Sequence, residues 1–586
     1  MAKQKKLPRK QKKKQKRKHI AVTTETAPQP IEASTLSSAE SPLTSSIDSP
    51  QNLESPKSAY DEENRLNFFE KINRGELVAL ALLVIVTAAA YSNTLNSSFH
   101  LDDKSNIWNN PSVFMREITL ETLYDATFNS YTRTRPVANV TFALNYYFHN
   151  LNLPGYHITN IFIHIATGIF LYFLLKATLS LPTLRDNFDR QGPMIIAFIT
   201  ATIWLLHPLQ TQSVTYVVQR MNSMFAMFYI LAMLLYVKGR LTTGTKNRWF
   251  LYGGCLLSFI LSLGSKELAA TLPIFIFLYE WYFLQDLRSI RSISRRQWFM
   301  LALALLVFVG LAFFYVGGDP IKSLLTNEIS FREFTRWERF LTETRVVLMY
   351  ISLIFFPHLS RLNLDYDFPL SHSPAAPPVT LLAIAVLVGM ALVAVLIAKR
   401  QRLYSFCIIL FLGNLVIESS FVPLELVFEH RTYLPSTFFL LLAVVPLYRL
   451  LFKNRKVFYT ICAVILVTLP ILTYERNKVW KDNMTLWLDC LKKSPNKSRV
   501  HWNVAHEYGR LWKTDKAIHH LRKTLKLRPN VIKPRIPLAL MLARKGRYQE
   551  AIIELNILLS MDPGNTEAQN KLQAFQQYRR QQLQQR

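Results

Sequence analysis

Cysteine, glycine and acidic side chains are all scarce in this chain of 586 residues. The four cysteines are Cys255, Cys407, Cys462 and Cys490; the first three lie in apolar windows, so neither a disulfide framework nor a metal-binding array follows. The seventeen glycines form no phosphate-cradling loop, which leaves nucleotide-driven chemistry without its usual footing. Asp and Glu number 39 against 69 Lys and Arg, a formal net charge of +30. Such a surplus would suit nucleic acid, but eleven of the basic residues fall within the first eighteen and most others sit in short loops between apolar windows. The arm from Lys3 to Lys18 also has no aromatic residue on which a base could stack. The charge therefore follows membrane topology, with anionic lipid and not nucleic acid as the expected partner. The first apolar stretch begins only near residue 77, so it reads as a retained anchor and not as a cleavable signal.

What the chain has in quantity is hydrophobic residues, half of the total, and they are clumped. Windows at 77–91, 161–175, 298–316 and 379–398 are nearly free of charge and approach the roughly 20 residues of a spanning helix. Residues 1–75, basic and then rich in Ser, Thr, Pro and Glu, are expected to be a disordered cytoplasmic leader. Residues 76–473 are expected to form a multi-pass membrane domain. Basic clusters at Lys238–Arg240–Lys246–Arg248, Arg288–Arg291–Arg295–Arg296, Lys399–Arg400–Arg402 and Arg449–Lys453–Arg455–Lys456 should all be cytoplasmic. All four agree only if the stretch 346–356, about 17 Å as a helix, does not cross. Eleven crossings follow, with the N-terminus inside and the C-terminus outside.

The tail carries a second pattern. Pro495, Pro529 and Pro563 recur every 34 residues, as do Ala505 with Ala539 and Ala517 with Ala551. Thirty-four is the tetratricopeptide period, with small residues where two helices approach and Pro after the second helix. Residues 474–568 then hold two full repeats and a half repeat, a thin core that should lean on the membrane domain or a partner. Residues 569–586 read as a Gln- and Arg-rich cap. The expected fold is all-α: a multi-pass helical membrane domain followed by a tetratricopeptide α-solenoid.

Candidate chemistry collects on the outer side. Asp102 and Asp103 follow the first span, either as an acidic turn or as a general base at the membrane surface. Arg135, His157, His164 and His207 lie on the same side; each lone histidine is more often a satisfied core residue than a ligand. Arg220 lies inside an apolar window, where an arginine needs a cavity or a counter-charge. Lys266–Glu267, Glu418 and Glu429–His430–Arg431 raise the same question. If these groups converge, carboxylates beside several cations suit transfer of a group from a lipid phosphate, the cations stabilising the departing phosphate.

Tyr91-Ser92-Asn93, Phe99-His100-Leu101-Asp102-Asp103, Arg135-Pro136, Leu206-His207-Pro208, Gln219-Arg220, Ser265-Lys266-Glu267, Leu364-Asp365-Tyr366 and Glu429-His430-Arg431, in that order and with a repeat tail, resemble the transmembrane and tetratricopeptide-repeat O-mannosyltransferases. The resemblance covers roughly residues 76–565. It implies a GT-C glycosyltransferase that moves a sugar, mannose in the eukaryotic members, from a polyprenyl-phosphate donor to Ser or Thr hydroxyls of extracytoplasmic proteins with inversion. It implies Asp102 or Asp103 as base, with Asp102 favoured. Arg220, Lys266, His207 and Arg431 are implied as holders of the donor phosphate, and Arg135, Glu267, Asp365, Tyr366, Glu429 and His430 as the sugar or acceptor pocket. The lipid-linked sugar is then a substrate, no resident cofactor or protein-bound metal is expected, and a divalent cation stays open. Acceptor proteins would be recruited by the repeats. The short repeat tail and long basic leader point to a bacterial relative, in the inner membrane with periplasmic repeats; the alternative is the endoplasmic reticulum with lumenal repeats. Rival readings are a membrane-anchored scaffold and a lipid-linked sugar transporter.

Overall fold

In the computed structural model the described residues are 72–285, 287, 302, 310 and 334–585. The expected disordered leader up to residue 71, most of the window 298–316 and the arginine cluster at 288–296 lie outside them.

Among the described residues the secondary structure is helical, with one isolated bridge between Ser373 and Ala376. The helices of eight residues or more up to the tail are α1 (Arg74–Tyr91), α2 (Pro136–His149), α3 (Leu153–Leu179), α4 (Gly192–Leu205), α5 (Arg220–Leu241), α6 (Thr245–Leu263), α7 (Leu272–Tyr279), α8 (Arg336–Phe355), α9 (Val379–Ile397), α10 (Arg402–Leu415), α11 (Leu441–Leu451) and α12 (Arg455–Lys478). The tail holds α13 (Asn483–Lys493), α14 (Ser498–Arg510), α15 (Thr514–Leu527), α16 (Arg535–Arg544), α17 (Tyr548–Met561) and α18 (Thr566–Gln584).

Local chemistry sets many of these boundaries. Asn73 caps α1 by accepting from the Glu76 amide, and Thr335 with Glu338 forms a reciprocal capping box on α8. Pro136 opens α2 at a position where its missing N–H costs nothing. Gly168 lets α3 meet α4: a Cβ there would lie 2.4 Å from the Leu205 side chain.

Six helical stretches are long and apolar enough to cross a membrane: Arg74–Thr94, Leu153–Leu179, Val217–Leu241, Glu267–Leu284, Val379–Ile397 and Arg455–Lys478. A seventh exists if Gly192–Leu205 and Pro208–Thr215, bent by 49°, act as one span. Against the expected eleven crossings, the described residues hold six or seven such stretches. Arg402–Leu415 and Ser436–Leu451 are apolar but short, and the bent pair breaks at His207–Pro208 because proline cannot continue the helix. The stretch 346–356 is not a free-standing short helix. It is the apolar half of α8, whose other half carries Arg336, Glu338, Arg339, Glu343 and Arg345, and α8 is not one of the six.

The tail is a run of helices in which α14 packs on α15, α16 on α17 and α17 on α18. Ala505, Ala539 and Ala551 are buried in one core with Leu521, Leu538 and Leu555, and Pro495, Pro529 and Pro563 each follow a helix end by two residues. The expected boundary at 473–474 falls inside α12, which runs unbroken to Lys478. Beyond it Trp480, Leu486, Trp487, Val500 and Val504 share a single apolar core with Phe99, Ile107, Tyr156, Tyr216 and Leu364. The start of the tail is therefore built into the same body as the loop after α1.

Candidate functional site around Asp102 and the Lys266, His430 and Arg431 cluster

The loop after α1 is fastened from several directions. The Asn93 amide donates to the Tyr474 carbonyl, and the Ser98 N–H donates to the Lys481 carbonyl. The His100 ring is held at 2.8 Å from both Asn483 Oδ1 and the Trp480 carbonyl. The next residues form a tight turn, Asp103 N–H donating to His100 O, with Leu101 at a positive φ of 35°. A non-glycine residue there is strained and needs support. Asp103 supplies it: one carboxylate oxygen accepts from the His100 N–H at 2.8 Å and the other from the Val218 N–H at 2.6 Å. Burial pushes the Asp103 carboxyl up to about 8, the two amide donors and Arg220 pulling it back.

Asp102 is the opposite case. Its side chain is exposed, and its own N–H donates to the Tyr216 hydroxyl. The turn that Asp103 holds shut presents Asp102 outward.

Beneath this loop lies the apolar core containing Tyr216, Val218 and Met221, with Leu101 and Phe428 packed against it. Arg135 Nη1 reaches the Met221 sulfur, while its Nε and Nη2 meet the two oxygens of Glu267 at 3.2 and 2.9 Å. Lys266 Nζ, buried, meets Glu418 at 2.9 Å and donates to Asn222 Oδ1 at 2.8 Å. The Asn222 amide then donates to the His430 carbonyl, and the His430 N–H to Gln212 Oε1. Phe428 stacks on the His430 ring with centroids 5.0 Å apart.

Burial, followed by the charges of Lys266, Arg431 and Arg135, pushes His430 well below the usual imidazole range. Its Nδ1 and the neighbouring Arg431 Nε are buried without a hydrogen-bond partner. Arg431 spends its other nitrogens on the Glu425 and Leu426 carbonyls and lies 3.5 Å from Glu343, which also pairs with Arg339 at 2.7 Å. A small cavity touches this group, lined by Asn222, Glu418, Arg431, Leu434 and Pro435 among others. The arrangement has one cation more than carboxylates and one unspent donor, the Arg431 Nε–H, which is equipment for holding an anion.

The remaining sequence-predicted residues lie elsewhere. Arg220 is fully buried and donates to Asn160 Oδ1, the Thr141 carbonyl and the Tyr156 carbonyl, with Phe142 beneath its guanidinium at 4.7 Å. It ties α2, α3 and α5 together. His207 accepts from the Leu209 N–H and donates to the Ile354 carbonyl. Asp365 meets Lys497 at 2.7 Å and Arg499 at 2.6 Å, and Arg499 also meets Glu425. Burial raises the Asp365 carboxyl, but those two cations outweigh it and hold it below the usual range. Glu429 accepts from the Asn363 N–H and the Tyr366 hydroxyl and faces Arg476, which pairs with Asp489. Asp365, Tyr366 and Glu429 thus stand where the tail docks. Among the described residues, no three of His, Cys, Asp and Glu stand close enough to share a metal ion.

Sequence reasoning gave no role to Asn222, Tyr216, Glu343, Arg339 or Arg476. Asn222 had a signal, two positions after Arg220 in the same apolar run; Arg339 and Glu343 had one too, spaced as an i,i+4 pair on α8.

Comparison with known proteins bears on this geometry. The chain is 26% identical to a protein O-mannosyl-transferase of Caenorhabditis elegans over 77% of its own length and 63% of the relative's. It is 21% identical to the Drosophila melanogaster protein O-mannosyl-transferase Tmtc3 over 81% of this chain and 58% of that one. With the Mus musculus protein O-mannosyl-transferase TMTC3 it shares 23% identity over 83% of this chain and 55% of that one. The resemblance to the transmembrane and tetratricopeptide-repeat O-mannosyltransferases holds over most of the chain. The chain spans about 55–63% of the length of these curated relatives. All three are animal proteins, so the expected bacterial placement gains no support from them. No protein-family model matches the chain, and no solved structure does.

Proposed function

We propose that this chain is a multi-pass membrane glycosyltransferase that moves a sugar, mannose by analogy with the relatives' names, from a polyprenyl-phosphate donor to Ser or Thr hydroxyls of proteins outside the cytosol. The observation that carries the reading is that Asn222 joins Lys266 to the His430 backbone beside Arg431, while Phe428, stacked on the His430 ring, joins this cluster to the apolar core that underlies the exposed Asp102.

In the proposed reaction the acceptor hydroxyl is too weak an acid to ionise unaided. The Asp102 carboxylate takes its proton as the oxygen attacks the anomeric carbon, and the lipid phosphate leaves from the opposite face in one inverting displacement. Lys266 and Arg431 stabilise the charge that develops on the leaving phosphate, and the Arg431 Nε–H, which has no partner, completes its hydrogen bonds. Arg135 and Glu267, half-buried at the rim, border the sugar. Asp103, Arg220 and His207 act through the frame, with Asp103 a positioning residue for Asp102. The helical tail is read as a tetratricopeptide solenoid on the same side of the membrane as Asp102, and the remaining crossings of the expected eleven as shorter or bent helices.

The deciding experiment is transfer of radiolabelled mannose from polyprenyl-phosphate mannose to a Ser/Thr-rich acceptor peptide by the purified full chain. Asp102→Asn is expected to lower the rate by about 10³-fold with donor binding retained. A normal rate in that variant removes Asp102 as base. Absence of transfer by the unaltered chain with every acceptor tried, together with movement of the lipid-linked sugar across vesicles, favours the transporter reading instead.

A further inference from the structure

Two helix ends in the tail are built alike and differ at one position. At the end of α14 the Lys513 N–H donates to the Tyr508 carbonyl and the Trp512 N–H to the Gly509 carbonyl. Thirty-four residues later, at the end of α16, the Arg547 N–H donates to the Leu542 carbonyl and the Gly546 N–H to the Ala543 carbonyl. This pair of bonds closes a helix and places the first residue past the cap in the left-handed region, a position that favours glycine. Gly546 takes it at φ +70° and Trp512 at φ +58°. A bulky L residue is strained there, so the tryptophan sits at a backbone cost that glycine would not incur.

Core packing does not account for it. The Trp512 side chain is 74% exposed, and the adjoining Leu511 is 44% exposed. What the ring does have is a cation: the Arg544 guanidinium lies over it at 4.5 Å, with Arg544 Nη1 reaching the Met541 sulfur. Lys513 and Lys516 flank the same turn, and the stretch 474–568 holds nineteen Lys and Arg against nine Asp and Glu. Trp and Arg are among the residue types most enriched where protein interfaces concentrate their binding energy, and here the two stand together, exposed, in a basic stretch.

We propose that Trp512 and Arg544 form a docking surface for an acidic polypeptide segment. An apolar or aromatic side chain of the partner stacks against Trp512 and Leu511, and its carboxylates meet Arg544, Lys513 and Lys516. The strain at Trp512 is retained because the ring must stand clear of the helices to be reached. This surface is independent of the sugar-transfer reading and would stand if that reading failed.

The test is fluorescence anisotropy of a fluorescein-labelled Glu/Tyr copolymer with the purified full chain in neutral detergent. Trp512→Gly removes the ring and installs the residue the backbone prefers, so the tail keeps its fold, which an unchanged thermal transition verifies. Copolymer affinity is expected to fall at least tenfold in Trp512→Gly, and to fall with a shallower salt dependence in Arg544→Gln. Equal affinity of Trp512→Gly and the unaltered chain overturns the proposal, and so does equal binding of a Lys/Tyr copolymer. If Trp512→Gly loses binding to phosphatidylglycerol vesicles, or self-association, while copolymer binding is untouched, the surface serves a membrane or a second copy and the proposal is also overturned.

Discussion

Glu429 and His430 are joined by one peptide bond and belong to two charged regions built on different plans. On the Glu429 side, Asp365, Glu425, Glu429 and Asp489 face Arg476, Lys493, Lys497 and Arg499, anion for cation, across the junction between the membrane domain and the tail. On the His430 side, Arg135, Lys266, Arg339 and Arg431 face Glu267, Glu343 and Glu418, one cation more than carboxylates among these pairs. Buried charge must be compensated. Buried arginine nitrogens without a hydrogen-bond partner occur on both sides, Arg476 Nε and Nη2 on the first and Arg431 Nε on the second, so what separates the two regions is charge: balanced at the fastening, and one cation in excess beside His430.

The largest effect that separates the two is expected from Lys266→Met combined with Glu418→Gln. Removing both members of a buried pair leaves no stranded ion, so stability should change by less than about 2 kcal/mol. Under the proposed reaction transfer should nevertheless fall about 10²-fold or more, as when a single group that stabilises developing charge is lost. A single-turnover assay beside thermal unfolding measures both, and loss of stability without specific loss of transfer would merge the two regions into one kind.

Asp365→Asn probes the fastening. It strands Lys497 and Arg499, which are partly exposed and so partly rehydrated, and should cost about 1–3 kcal/mol. Limited proteolysis of the tail should accelerate, while transfer below the melting temperature changes by only a few-fold.

Asp103 is a third kind of buried acidic group, a carboxyl fastened to backbone N–H groups. With its pKa raised to about 8 in the folded chain from an ordinary value near 3.8, the folded state keeps a proton that the unfolded state has released. Its contribution to stability is full below about pH 4 and declines as pH rises through 8. Asp103→Asn should flatten that part of the stability profile, measured by thermal unfolding from pH 4 to 9; a profile of unchanged slope would assign it to other groups.

The smallest effect concerns Trp512→Gly. Relief of about 1–2 kcal/mol of left-handed strain is offset by roughly 0.4–1 kcal/mol of unfolded-chain entropy, so stability should shift by under about 1 kcal/mol. Calorimetry of the tail transition checks this. A large loss would mean that the ring packs more than its exposure indicates.

The residues themselves show why some of this was legible beforehand. Pro495, Pro529 and Pro563 repeat at a fixed interval because each ends a helix locally, and the structure has a helix end two residues before each. The apolar windows at 77–91, 161–175 and 379–398 became long helices because length and hydropathy are local quantities. The window broken at His207–Pro208 was harder to read, since a bend depends on what receives the freed backbone groups. Arg220 was conspicuous as a charge in an apolar run, but its partners Thr141, Tyr156 and Asn160 lie 60 to 79 residues away and are carbonyl and amide oxygens with no pattern of their own.

By itself the sequence determined the helical character, the membrane-compatible segments, the repeat spacing and the family resemblance, all of which rest on period, composition and residue order. Only the tertiary structure decided that of two adjacent aspartates Asp103 is buried in backbone hydrogen bonds and Asp102 exposed, and that Glu429 fastens the tail while His430 faces the cations. Neighbours in the chain share composition and solvent history, and what distinguishes them is the set of distant groups that folding brings within hydrogen-bonding and Coulombic reach.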